Sequence, residues 1–127
     1  MDSNESRLVR YYAAVDRGDF AGAKLMLHPG VTFAIHLPGG ANRGASAEEL
    51  LGYLTGRGDV VRRHVPLRTA ADAGTEFVYG AVVEDDVRTT GHFLAAVRVD
   101  ESGLIASYHV SFDIELALLA PEEGPGA

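Results

Sequence analysis

Histidine and tyrosine are the residues of this chain best suited to moving a proton and to holding an oxygen atom. The sequence contains five of each and no cysteine. An imidazole titrates near neutral pH and can act as a general acid or base. A phenol can donate to an oxygen on which negative charge develops. His36 ends a predicted strand ahead of a Pro-Gly-Gly loop. We predict it as the proton-transferring residue, the alternative being a rim histidine that bonds only to backbone.

The other four histidines are predicted to lie elsewhere. His92 and His109 fall on the outward phase of their predicted strands, His64 follows two arginines and is expected to be solvated, and His28 is expected at a helix terminus. No H-x-H, H-E-x-x-H or carboxylate cluster is present, so we predict no metal site. The sequence also lacks G-x-G-x-x-G, P-loop and G-x-S-x-G patterns. We therefore expect a protein without a cofactor.

Composition restricts the partners of this chain. Its 127 residues predict one domain, with a core over about residues 5–115 and a flexible tail over 116–127. A net charge of −7 disfavours nucleic acid and anionic membranes. No stretch approaches 18 apolar residues, so no membrane span is expected. The absence of cysteine permits a reducing compartment, and we expect a cytoplasmic protein.

Capping and helix-breaking residues divide the first half of the chain into predicted helices. A helix capped by Asp2 or Ser3 is predicted to reach Arg17, and a second one begins after Asp19 and stops at the His-Pro-Gly sequence 28–30. Residues 31–36 are rich in β-branched and aromatic side chains and predict a strand, followed by a loop over 37–42. Ser46 caps a third helix that ends at Gly56.

The second half changes to a period of two. Strands are predicted at about 60–71, 75–85, 88–100 and 103–114, joined by turns so short that neighbours must be antiparallel. Gly74 and Gly103 are available for positive φ at two of these turns. The predicted fold class is α+β, with three N-terminal helices packed on one curved, mainly antiparallel sheet.

Several short motifs in this order resemble the nuclear transport factor 2-like superfamily, which includes SnoaL-like polyketide cyclases and ketosteroid isomerases. The resemblance covers about residues 5–115 and rests on an aromatic-rich helix followed by Gly-Asp, a Pro-x-Val-x-Phe step, an Arg-Gly step and a closing Gly-x-Ile strand, at residues 10–20, 29–33, 43–44 and 103–105. It implies a cone-shaped half-barrel whose sheet and helices enclose one deep apolar pocket. Function in such folds depends on the polar groups that face the pocket.

The resemblance also implies site residues. Tyr11 falls where ketosteroid isomerases carry the tyrosine that donates to the substrate oxyanion, although it also suits core packing. The catalytic aspartate of those isomerases falls on Ile35, and their second acid falls near Ala95. The histidine and aspartate of the SnoaL-like cyclases correspond to Tyr108 and Val110. Neither acid–base set is present in its usual register.

These observations favour a cofactor-free enzyme of the isomerase or cyclase type, with polyketide cyclisation or epoxide opening as possible reactions on an apolar oxygenated small molecule. The alternative is a non-catalytic binding module or a dimeric interaction module of the same fold. The predicted catalytic residues are His36, Tyr108 and Tyr11. The predicted pocket residues are apolar or aromatic and take the inward phase: Phe33, Tyr53, Leu54, Val65, Leu67, Tyr79, Phe93, Ala95, Val97, Val110 and Phe112.

An apolar outer face of the sheet predicts assembly. We expect Leu94, Ala96, Val78 and Val82 to form a patch there, flanked by histidines. Patches of this kind usually mark an interface. The sequence therefore predicts a homodimer packed through the sheet.

Overall fold

Three helices pack on one face of a six-stranded sheet in the computed structural model, which describes residues 6–56, 62–85, 87–115 and 117–119. The elements in chain order are α1 Arg7–Asp16, α2 Phe20–Leu25, β1 Leu27–Leu37, β2 Gly40–Gly44, α3 Ala47–Thr55, β3 Arg62–Asp72, β4 Thr75–Glu84, β5 Arg88–Val99 and β6 Ile105–Asp113. The predicted α+β class and the antiparallel meander of the second half are confirmed.

The strand order across the sheet is β2-β1-β6-β5-β4-β3. Every neighbouring pair is antiparallel except β1 and β6, which run parallel. This parallel contact brings the first strand beside the last one within an open sheet, and the helices cover the core on its inner face. Gly74 and Gly103 have φ of +81° and +84°, as their turns require.

Side-chain caps set the helix starts. The Ser6 Oγ accepts from the Val9 amide at 2.9 Å and begins α1, while Asp19 and Ser46 cap α2 and α3 in the same way. The caps predicted at Asp19 and Ser46 are confirmed. Helix α1 begins at Arg7 and not after Asp2 or Ser3 as predicted, because the extended backbone of Ser6 starts the helix there. The tail predicted over 116–127 falls largely outside the described residues.

Two later boundaries in the first half also differ from prediction. Helix α2 stops at Leu25, because residues from Leu27 onward join the sheet and Ile105 donates to the Met26 carbonyl at 2.9 Å. His28 is therefore a strand residue, not a helix terminus. The segment 37–42 is part of a hairpin with β2, not only a loop. Gly44 in that hairpin lies under Phe33, whose ring would be 2.5 Å from an added Cβ.

The inward faces of β5 and β6 are those predicted, whereas that of β4 is inverted. Gly80 pairs with Phe93, and the Phe93 ring lies over it, 2.7 Å from where a Cβ would be. Directly paired residues share a face. Val78 and Val82 therefore point into the core, while Tyr79 points outward beside Leu94.

The inverted phase of β4 changes two predictions. Val78 and Val82 are buried and do not belong to the outer patch, which instead contains Phe77 and Leu94, 41% and 47% exposed. On β3, Val65 pairs with Ala81 and faces outward with it. Leu67 lies in the register shift between Pro66 and Arg68.

Candidate active site

A cavity of about 330 Å³ lies between the helices and the inner face of the sheet. This volume is near the low end of the roughly 300–1,000 Å³ that small-molecule sites occupy. Most of its wall is apolar or aromatic, and a few polar side chains converge on it. The lining residues are Tyr11, Tyr12, Val15, Ile35, Leu37, Tyr53, Leu54, Arg62, His64, Val82, Glu84, Thr90, Phe93, Tyr108, Val110 and Phe112.

His64 and Asp16 form a pair at the wall of this cavity. Nδ1 of His64 lies 2.7 Å from Oδ1 of Asp16, and the His64 backbone amide donates to Oδ2 at 2.6 Å. Both side chains are largely buried, with 11% and 13% exposed. The imidazole also stacks on the Tyr12 ring, with centroids 4.3 Å apart and an angle of 12° between the planes. One carboxylate thus holds both the backbone and the ring of His64.

The negative charge of Asp16 stands at a position where it destabilises helix α1. Asp16 is the last residue of α1, where the helix dipole disfavours a negative charge. The two bonds from His64 compensate for this cost, because hydrogen bonds to a charged group are stronger than neutral ones. The local sequence would be a poor choice for helix stability alone, which points to a role in orienting the imidazole.

The Asp16 contact determines which nitrogen of His64 can accept a proton. A carboxylate accepts a hydrogen bond, so the neutral imidazole carries its proton on Nδ1. Nε2 then has a lone pair, and it belongs to a ring that lines the cavity. A carboxylate behind the imidazole also stabilises the cation that forms when Nε2 takes up a proton. The pair therefore has the parts of a general base.

Two tyrosines supply hydroxyl groups in the same cavity. The hydroxyl oxygens of Tyr12 and Tyr108 are 2.5 Å apart, and both side chains are buried. In such a pair one hydroxyl donates and the other accepts. The accepting hydroxyl is polarised by the first bond and becomes a better donor to a third oxygen. The Tyr11 ring packs against both of them.

An ion-pair cluster lies at another part of the cavity wall. Arg62 and Glu84 are direct partners on β3 and β4, and Nε of Arg62 is 3.2 Å from Oε2 of Glu84. The second oxygen of Glu84 is 3.3 Å from Nη2 of Arg88. Among the residues that the structure describes, the cluster joins two cations to one anion.

The structure places His36 outside the cavity. Its neighbours Ile35 and Leu37 line the cavity, and alternation along β1 turns His36 to the other face. There its ring stacks with that of His109, at a centroid distance of 6.1 Å. The prediction that His36 faces the pocket is wrong, because the strand continues through Leu37 without a bulge at that point. His92 and His109 lie on the outer face as predicted.

Seven of the predicted site residues line the cavity, and seven do not. Those that line it are Tyr11, Tyr53, Leu54, Phe93, Tyr108, Val110 and Phe112. Phe33, Ala95 and Val97 are buried in the core beyond the cavity wall. Val65 and Tyr79 face outward, and Leu67 lies in the register shift of β3. His36, the seventh, lies on the outer face beside His109. The Tyr79 hydroxyl instead accepts from the Leu118 amide at 2.7 Å.

The sequence interpretation missed Asp16, Tyr12, His64, Arg62 and Glu84. Two weak signals were present: Tyr12 and Asp16 are four residues apart and share a helix face, and Arg62 and His64 share a strand face. The prediction that His64 is solvated is wrong, because α1 covers the end of β3 and buries the imidazole.

The described residues also bear on metal binding and on membrane crossing. They contain no group of three or more His, Asp or Glu side chains placed to hold a metal ion. They also contain no helix with the length and apolar character needed to cross a membrane.

No family model and no curated protein matches this sequence. Solved structures do match. An NTF2-like protein of unknown function from Burkholderia pseudomallei aligns with a TM-score of 0.70 and 19% identity, covering 90% of this chain and 93% of that one. An LEH-like epoxide hydrolase from M. tuberculosis aligns at 0.68 and 18%, covering 85% and 80%. A proposed ketosteroid isomerase from Kribbella flavida aligns at 0.67 and 15%, covering 94% and 85%.

These similarities establish the fold. The chain has the nuclear transport factor 2-like α+β cone, as the sequence resemblance implied. The structures that share it include isomerase, cyclase and epoxide hydrolase proteins, together with several of unknown function. The reaction has to be argued from the cavity itself.

Proposed function

We propose that this protein is a cofactor-independent enzyme of the isomerase or cyclase type, which uses general acid–base catalysis on an apolar, oxygenated small molecule. The observation that carries the proposal is the His64–Asp16 pair at the wall of an apolar cavity that is also lined by a pair of hydrogen-bonded tyrosine hydroxyls. A base and an oxyanion donor are the two groups that proton transfer next to a carbonyl requires.

The reaction would begin with removal of a proton. His64 Nε2 takes the proton from a carbon next to a substrate carbonyl, and the electrons of the broken C–H bond move to form an enolate. The Tyr12–Tyr108 pair donates to the enolate oxygen, and Asp16 stabilises the new imidazolium. The low polarity of the surrounding wall strengthens both interactions.

The enolate has two outcomes. If the substrate also has a carbon–carbon double bond conjugated with the enolate, the imidazolium returns the proton to the far carbon of that bond, the double bond moves next to the carbonyl, and the product is an isomer. If the enolate carbon attacks a second carbonyl of the same molecule, a carbon–carbon bond forms and the imidazolium protonates the new alkoxide, which closes a ring. Epoxide opening would use the same groups differently, with His64 activating a water molecule and a tyrosine donating to the epoxide oxygen.

The alternative is a binding module that uses the same cavity without chemistry. A cavity lined only by tyrosines and apolar groups would favour that function. The cavity instead holds an imidazole oriented by a buried carboxylate, at the cost of a negative charge at a helix C-terminus. An imidazole held by a hydrogen bond to a carboxylate at a cavity wall is the arrangement of base and orienting group that catalytic sites use. The observation therefore favours an enzyme.

A deuterium-exchange assay tests the proposal without knowledge of the natural substrate. The protein is incubated in D₂O with one- and two-ring ketones, beginning with 2-tetralone, and loss of the proton signal next to the carbonyl is followed by NMR. Exchange should exceed the buffer rate, saturate with ketone and disappear in His64→Gln. Tight binding without exchange across the ketone set would favour the binding module instead.

We also propose that the protein is a homodimer packed through the outer face of the sheet. Phe77 and Leu94 are large, apolar and exposed on adjacent strands there. Sedimentation should then give twice the 13.5 kDa mass of the chain. Leu94→Asp should give monomers, whereas Leu25→Asp, at a still more exposed position on α2, should not. A monomeric wild-type protein at micromolar concentration would contradict the dimer.

A further inference from the structure

We propose that Arg62 is a specificity-determining residue that binds a carboxylate of the substrate, so that the substrate is an apolar acid rather than a neutral compound. This inference rests on the proposed function, because it concerns the same cavity. It starts from the one cationic side chain that lines the cavity among the described residues.

The contacts of Arg62 leave part of its guanidinium available. A guanidinium offers five N–H donors in a planar fork. The contact of Arg62 with Glu84 is made through Nε, at 3.2 Å. The terminal edge of the same group, with Nη1 and Nη2, has the geometry to hold a second carboxylate through two parallel bonds.

Charge in the cluster also favours an anion. Glu84 contacts Arg62 through one oxygen and Arg88 through the other, so both of its oxygens are engaged. Among these described contacts, one carboxylate is divided between two cations, so Glu84 neutralises Arg62 only in part. Arg62 is only 25% exposed, so water screens its charge less than that of a surface arginine. A structural ion pair between two strands would need only one cation.

The distance between Arg62 and His64 determines how far the carboxylate of the substrate lies from its reacting carbon. The two residues are two apart on β3 and both line the cavity. A strand rises about 3.3 Å per residue, so their backbones are roughly 6–7 Å apart along the strand. A carboxylate held by Arg62 would place a carbon a few bonds away at His64. The substrate class is thus a small apolar carboxylic acid that also carries a carbonyl group.

A pair of matched probes tests this inference. The probes 2-naphthoate and 2-naphthamide have nearly the same shape, and only the first is charged. The wild-type protein should bind naphthoate about ten- to a hundredfold more tightly in calorimetry at low salt. Arg62→Met should remove that preference and leave naphthamide affinity within about threefold. Arg63→Met is the matched control, because Arg63 precedes His64 on the same strand but lies on the outward phase.

Each result has a defined meaning. No naphthoate preference in the wild-type protein, or no measurable naphthoate binding, overturns the inference. Equal weakening of both probes by Arg62→Met also overturns it, since that is the effect of a purely structural ion pair. If Arg62→Met does not fold, Glu84→Gln decides: removal of the competing carboxylate should increase the naphthoate preference, and an unchanged preference rejects the inference.

The same variants separate this inference from the proposed function. His64→Gln should lose ketone exchange and keep the naphthoate preference. Arg62→Met should lose the preference, whereas the outward-facing control Arg63→Met should keep both the preference and the exchange of 2-tetralone. An inactive protein that prefers naphthoate through Arg62 would reject the catalytic proposal alone.

Discussion

The two faces of the sheet carry the same kinds of aromatic pair with different surroundings. On the inner face, His64 stacks on Tyr12 at 4.3 Å, and on the outer face, His92 stacks on Tyr79 at 5.7 Å. Nδ1 of His64 meets the Asp16 carboxylate, whereas no hydrogen-bond partner lies at Nδ1 of His92 among the residues that the structure describes.

This comparison shows that residue type is not what distinguishes a candidate base. Both imidazoles are stacked on a phenol, and both are sheltered from solvent. Only the inner one has a carboxylate that selects its tautomer and a cavity in which a substrate can reach its second nitrogen. The Asp16 carboxylate and the enclosed cavity give the inner pair the parts of a general base.

The largest expected effect comes from removing single histidines from the two faces of the sheet and comparing the exchange rates. His64→Gln should lower the rate of ketone exchange by about 10²–10⁴-fold, the usual contribution of a general base. His92→Gln and His36→Ala remove imidazoles from the outer face and should leave the rate within about twofold. NMR exchange rates on 2-tetralone measure all three. A large loss in His36→Ala would restore the base predicted from the sequence and reject His64.

A smaller effect is expected from the group behind the imidazole. Asp16→Asn keeps the size of the side chain and removes its charge, so the His64 tautomer and cation lose their support. The rate should fall roughly 10–100-fold, as for other residues that orient a functional imidazole. The loss should appear in kcat with KM nearly unchanged. A change in KM alone, or a loss fully explained by a lower Tm, would indicate a structural role.

The two faces also carry tyrosines that can be compared directly. Tyr108→Phe removes one hydroxyl of the buried pair and should slow exchange about tenfold, because one oxyanion donor is lost and Tyr12 remains. Tyr79→Phe removes a hydroxyl that bonds to the Leu118 amide on the outer face. It should leave exchange unchanged and lower the thermal stability slightly. Equal rates for the two variants would exclude Tyr108 from the reaction.

The smallest expected effect concerns the packing that decides which side of β4 faces the core. At Gly80, an added Cβ would lie 2.5 Å from the Val65 carbonyl oxygen and 2.7 Å from the Phe93 ring. Gly80→Ala should therefore destabilise the fold by about 1–3 kcal/mol in urea unfolding. Gly52→Ala, in α3 with nothing within 4 Å, should stabilise it by about 0.5–1 kcal/mol. A neutral Gly80→Ala would show that Phe93 does not set the phase of β4.

Much of the architecture could be predicted from local patterns in the sequence. The caps at Asp19 and Ser46, the tight turns at Gly74 and Gly103 and the strands of the meander lie where the residues predicted them. These features depend on backbone conformation and side-chain bonding within a few residues, which the sequence specifies directly. Tyr108 was correctly placed in the cavity for the same reason, since its strand alternates regularly from Ser107 to Asp113.

The tertiary structure alone decided which groups meet at the site. The period of a strand defines two faces but does not say which one is inward. On β4 that choice depends on Phe93 packing over Gly80 from a neighbouring strand. Asp16 and His64 are 48 residues apart, and their contact requires the end of α1 to pack against the edge strand. The sequence by itself therefore determined most of the elements and their order along the chain, while the long-range packing added strand β2 and selected His64 over His36 as the candidate base.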